Sequence, residues 1–181
     1  MRRVACLAVL LLCAGVAAGE VRTREFPVGN SVVLHIGLDD SWKEVAPDPG
    51  SGASISIVSK TPDRFNLLLT PVPVAEGQSK PEGEIRALVQ AAADGLAPQS
   101  VEKKLKIESL RGPHAAGYYF HATDPAPKKG EYRFLYQGAV SSGPAIVSFT
   151  VLYNRGGEEE AKKALAAVQA MRAEARRGNR S

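Results

Sequence analysis

The stretch EYRFLYQGAVSSGPAIVSFTVLY (Glu131–Tyr153) carries the fold in its spacing. Tyr132, Phe134 and Tyr136 recur at every second residue, and so do Val147, Phe149, Val151 and Tyr153. A period of two places each set on one face of an extended strand. The SSGP connection between them is short enough for an antiparallel hairpin. Just upstream, GYYFHATD reads as another strand and DPAPKKG as the turn leading into the hairpin. KKLKIESL reads as a strand before that, with Leu105 and Ile107 inward and Lys104, Lys106 and Glu108 in solvent.

Further toward the N-terminus the same alternation recurs. In SVVLHIG, Val32, Leu34 and Ile36 point one way, Val33 and His35 the other. In ASISIVS, Ala53, Ile55 and Ile57 alternate with Ser54 and Ser56, the pattern of a half-buried strand with a polar outer face. FNLLLTPVPV is more continuously apolar, and Pro71 and Pro73 remove backbone donors, so this strand should end there or run along an edge. Two segments switch to helical spacing. Ile85, Leu88, Val89, Ala92 and Leu96 form one stripe, opened by Pro81 and Glu82 and closed by Pro98. Ala161, Ala164, Leu165, Val168 and Met171 form the other, over a helix from about Glu158 to Arg172. Glu158–Lys162 and Glu159–Lys163 are four apart in the favourable acid-first order. The fold class is α+β. A single, mostly antiparallel sheet of about six or seven strands packs with these two main helices, whose stripes it buries.

The first eighteen residues read as a targeting segment. Arg2 and Arg3 precede an apolar run from Val4 to Val16, and Val16-Ala17-Ala18 offers small residues for processing. That run is shorter than the roughly 20 residues a membrane-spanning helix needs. The division expected is a signal peptide over 1–18, one α+β domain over 19–174 and a basic flexible tail over 175–181, with the chain outside the cytoplasm, periplasmic or secreted. Cys6 and Cys13 both fall in the leader, so the mature chain has no thiol and no disulfide. Cys13 follows Leu12 and Cys6 comes too early, which disfavours a lipid anchor. Of 23 basic residues, Arg2 and Arg3 leave with the leader, and 21 remain against 19 acidic. That balance gives no reason to invoke nucleic acid. The basic end RAEARRGNRS allows a weak contact with an anionic membrane surface.

In this order of elements the chain resembles the Mog1/PsbP-like superfamily of α/β/α sandwiches. The resemblance runs from SVVLHIGLDDSWKEV through ISIVSKTPDRFNLLLTPVPV, a helix, GYYFHATD and the hairpin to a terminal helix. It lies in arrangement and not in a sharp motif. A strand followed by a loop with Trp, here Trp42, is common near the start of that superfamily. Its members are mostly non-enzymatic, partner-binding adaptors and extrinsic subunits of photosynthetic complexes. The resemblance therefore implies a binding or accessory role, and it carries over no catalytic residue.

The residues themselves give little chemistry. His114, His121 and Asp124 are the nearest approach to a ligand cluster, but their spacing is not that of a zinc site, and no metal or other cofactor is expected. No serine sits in G-x-S-x-G, and neither phosphate-binding glycine motif occurs. NRGGEEEA could feed a helix N-terminus, yet three carboxylates there would repel an anion. The aromatic set of Tyr118, Tyr119, Phe120, Tyr132, Phe134 and Tyr136 reads either as core pairs across the sheet or as an exposed recognition surface. The binding candidates are Trp42, Tyr119, His121, Arg133 and Gln137, and the partner expected is another protein. Two alternatives stay open. One is a hydrolase using a histidine and acidic residues. The other is a carrier of a small apolar ligand in a cavity between helix and sheet.

Overall fold

The computed structural model describes residues 20–52, 54–75 and 81–176. The expected leader and most of the expected tail lie outside them. The strands are β1 (Val21–Val28), β2 (Val32–Asp39), β3 (Trp42–Val45), β4 (Ile55–Ser59) and β5 (Phe65–Pro73), followed by the helix α1 (Glu82–Leu96). Then come β6 (Glu108–Arg111), β7 (Ala116–Thr123), β8 (Phe134–Ser142), β9 (Ala145–Tyr153), the helix α2 (Glu158–Ala170) and β10 (Arg172–Ala175).

The β8–β9 hairpin turns through Gly143-Pro144, with Ser142 opposite Ala145. Gly143 has φ +50°, and proline fixes the next φ negative, the sign order that matches the twist of paired strands. A Cβ at Gly143 would also lie 2.5 Å from the Ala173 carbonyl oxygen. Around this hairpin stands a seven-stranded sheet in the order β3-β4-β5-β9-β8-β7-β6, every pair antiparallel. β5 is an interior strand, yet its prolines fit. The Leu69 carbonyl accepts the Ser54 N–H, so odd-numbered residues of β5 face β4. β4 pairs only as far as Leu69, which leaves Pro71 and Pro73 on a locally unpaired edge, where no donor is needed.

Beside this expected sheet of seven strands stands a second, smaller one. SVVLHIG forms the centre of a separate three-stranded sheet, β1-β2-β10. Its inward residues Val32, Leu34 and Ile36 pack into one core with Leu67, Leu69, Val147 and Phe149 of the large sheet and with Ala161, Ala164 and Val168 of α2. α1 lies on the opposite face, where Ile85, Val89 and Ala93 bury Phe120, Ala122 and Ala139 in a second core. Leu88, expected in the helix stripe, is 53% exposed. α1 packs over β7 and β8, leaving β5 and β9 open beneath that residue.

Other expectations shift locally. The last helix ends at Ala170, because Met171 takes an extended backbone and the chain turns back as β10. β10 pairs with β2, and the Ala173 N–H donates to Ser142 Oγ. Ala175, placed in the tail on sequence, is therefore in a strand, and the Arg176 N–H donates to the Ser31 carbonyl. The strand expected over KKLKIESL forms only at Glu108–Arg111. Leu105 is nonetheless buried and Ile107 packs beside it. Ser56 is buried rather than solvated, its hydroxyl bonded to Asn66 Oδ1 at 3.1 Å. The expected four-apart ion pairs of α2 give way to Lys162–Glu159 and Lys163–Asp39, both 2.7 Å.

Candidate functional site

Side chains of β7, β8 and β9 on the α2 side of the sheet form a contiguous patch of rings. β7 contributes Tyr119 and His121, β8 contributes Phe134 and Tyr136, and β9 contributes Tyr153. Register explains the grouping. Tyr136 stands opposite His121, and Phe134 opposite Tyr153. The His121 and Tyr136 ring centres are 5.0 Å apart, Tyr136 and Tyr153 stack at 5.5 Å, Phe134 and Tyr153 at 5.2 Å, and Tyr119 meets Tyr136 edge-on at 5.8 Å. α2 covers β2, β5 and β9, so Tyr153 is buried while the four rings of β7 and β8 emerge half-buried beside it. Gly138, opposite Tyr119 and Phe149, makes the packing possible. A Cβ there would lie 2.8 Å from the Phe149 ring and 2.3 Å from the Tyr118 carbonyl oxygen.

Carboxylates border the rings. Tyr119 donates its hydroxyl to Glu108 Oε2 at 3.0 Å. Glu102 accepts the Thr123 hydroxyl at 2.6 Å and the Thr123 N–H at 3.0 Å, and its Oε1 lies 4.0 Å from His121 Nδ1. Burial opposes its charge, but those bonds and His121 hold Glu102 below the usual glutamate range. Burial, then the bond to Glu108, pushes Tyr119 up to about 12. Burial, reinforced by the Tyr136 phenol, raises Tyr153 as well. Burial lowers His121 against the pull of Glu102 and Glu108, which favours a neutral ring. The Tyr153 hydroxyl and His121 Nε2 share a hydrogen bond of 3.0 Å, and Nδ1 faces Glu102.

The five binding candidates fall into three places. Tyr119 and His121 are in the patch, and Arg133 is at its edge, with its guanidinium carbon 6.0 Å from the Phe134 ring centre. Gln137 points to the other face. There it lines an open cavity of about 290 Å³ between α1 and the sheet, together with Leu88, Ser148 and Thr150. Trp42 is in the core. It is 6% exposed, stacks on Phe65 at 5.0 Å, and its buried Nε1 has no hydrogen-bond acceptor among the described residues. Only its edge reaches the surface, where it lines a cavity with Val21, Lys163 and Ala167. Tyr118 and Phe120 also leave the patch by alternation: Phe120 is buried under α1, and the Tyr118 hydroxyl bonds Glu82 at 2.6 Å. Glu102, Glu108 and Tyr153 were not singled out on sequence. Glu102 comes from an irregular loop, and Tyr153 carries the same period as the core residues Phe149 and Val151.

The His121–Glu102 approach is the pairing a hydrolase would use, but the rest of such a site is not joined to it. Both ring nitrogens are engaged or flanked, and the Thr123 hydroxyl is spent on Glu102. No serine hydroxyl reaches His121 among the described residues. His114 and Asp124 flank opposite ends of β7, and the Asp124 carboxylate accepts the Ala126 N–H. Among the described residues no group of three or more His, Cys, Asp or Glu could hold a metal ion. Among those residues, too, no helix is long and apolar enough to cross a membrane.

No family model and no curated protein matches the chain. Solved structures do. The solution structure of cyanobacterial PsbP (CyanoP) from Synechocystis sp. PCC 6803 is similar over 90% of this chain and 97% of its own, with a TM-score of 0.54 at 8% identity. LpqN, involved in cell envelope biogenesis of Mycobacterium tuberculosis, is similar over 86% of this chain and 92% of its own, with a TM-score of 0.51 at 10% identity. At such identities the likeness is one of architecture: this chain has the PsbP-like α+β fold.

Proposed function

We propose that the chain is a non-catalytic accessory domain of the cell envelope that docks on another protein through the aromatic face of β7 and β8. The observation that carries this reading is the patch of Tyr119, His121, Phe134 and Tyr136, half-exposed beside α2. Aromatic rings that are rigid and only partly covered supply contact area at little entropic cost, which is why they gather at the centres of interfaces. The leader-like N-terminus supports an extracytoplasmic setting, and so does the structural likeness to an envelope protein. The test is the size of the protein in a gently solubilised extract of its native envelope. The wild-type chain should elute well above the 19.2 kDa of the full sequence, and a Tyr119→Ser/Tyr136→Ser variant at about the mass of the free chain. Elution of the wild type at its own mass would contradict the reading, as would a variant that stays in the complex.

A second reading, a carrier of a small ligand, is favoured by the cavity under Leu88. Gln137, Ser148 and Thr150 line it, and their side chains make no hydrogen bond to other described residues. It predicts that a bound small molecule copurifies with the protein and is released on denaturation.

A further inference from the structure

We infer that the aromatic face receives an arginine side chain of the partner protein, laid on the Tyr119, His121 and Tyr136 rings and paired with Glu102 and Glu108. The inference rests on the docking reading above and specifies the group that docks. Three observations lead to it.

The first is the rings themselves. Their faces carry the negative lobe of the aromatic quadrupole, and a cation within about 6 Å of a ring centre is attracted to it. The second is unspent charge. Among the described residues neither Glu102 nor Glu108 is paired with a lysine or arginine, although both border the patch. Of the cations near this face, Lys162 is engaged by Glu159 at 2.7 Å. His121, which burial keeps toward its neutral form, opposes an incoming positive charge only weakly. The third is that the chain already lays a guanidinium on this surface. Arg133 sits over Phe134 at one edge and leaves the Tyr119–His121–Tyr136 side open.

Arginine fits better than lysine. A guanidinium is flat and weakly hydrated, stacks on rings, and can fork its donors between two acceptors. An ammonium is a strongly hydrated point charge.

The test is an NMR titration of the protein with N-acetyl-arginine N-methylamide. The controls are the citrulline analogue, which keeps the shape without the charge, and the lysine analogue. The expected result is a set of ring shifts confined to Tyr119, His121 and Tyr136. Binding should be about tenfold tighter for arginine than for citrulline, and weaker in salt and in Glu108→Gln. Tyr136→Phe, which keeps the ring and removes only the hydroxyl, should retain the preference. Equal binding of arginine and citrulline would overturn the inference. So would tighter binding of lysine, shifts centred elsewhere, or no shift at all. If any of these occurred while the large envelope complex persisted, the docking face would stand and only its cationic chemistry would fall. A retained arginine preference with no complex would do the reverse.

Discussion

Asp39 ends β2 at the seam with α2, where its carboxylate accepts the Ser41 N–H and hydroxyl and the Lys163 ammonium. The bond from Lys163, followed by those from Ser41, lowers its pKa from 3.8 to about 2. A carboxylate depressed in the folded state stabilises the fold above its unfolded pKa, and that contribution is lost as pH falls through the folded value. Asp39→Asn should therefore cost about 1–3 kcal/mol at neutral pH. The gap between wild type and variant in urea unfolding should close between about pH 5 and pH 2. A gap independent of pH would show that Asp39 acts through packing alone. Asp39 was not readable as special from sequence, because Lys163 lies 124 residues away and was assigned to Glu159 by helical spacing. Tyr119 and His121 were readable, since a period of two fixes a side chain's face before its neighbours are known. Gln137 falls on the face opposite Tyr136 by the same period of two. Trp42 shows the converse limit: the resemblance marked it, but its depth depends on which elements pack around it.

The hairpin, α1, β4, β5 and β7 follow from local pattern. β10 does not. RAEA is made of helix formers and continues the stripe of α2 without a break. Tertiary packing overrides that propensity, because Ala173 at 7% exposure fills a gap beside Ser142 and β2 offers a free edge. Ala173→Asp should then cost at least about 2 kcal/mol in thermal or urea unfolding, by burying a charge with no partner. In the wild type the Ala173 amide should exchange with solvent far more slowly than the amides of Lys129 and Gly130 in the exposed turn. Equal exchange at the two places would mean that β10 is not docked. The split into two sheets was hidden for a related reason. SVVLHIG alternates equally well whether it joins the large sheet or a small one, and only pairing with β1 and β10 decides.

The whole molecule is one large sheet with a core on each face, α1 over one and α2 with the small sheet over the other. Two helices cannot cover seven strands, and what they leave open differs in character. Beside α1 the open surface is a shallow cavity with hydroxyl and amide groups. Beside α2 it is the ring patch with two carboxylates that, among the described residues, pair with no lysine or arginine. The docking account depends on the second surface and not the first, and site-specific photo-crosslinking in intact cells separates them. A photoreactive residue at position 136 should give one discrete adduct, and the same residue at position 88, on the exposed rim of α1, should give none. Adducts from position 88 alone, or from neither position, would contradict the account.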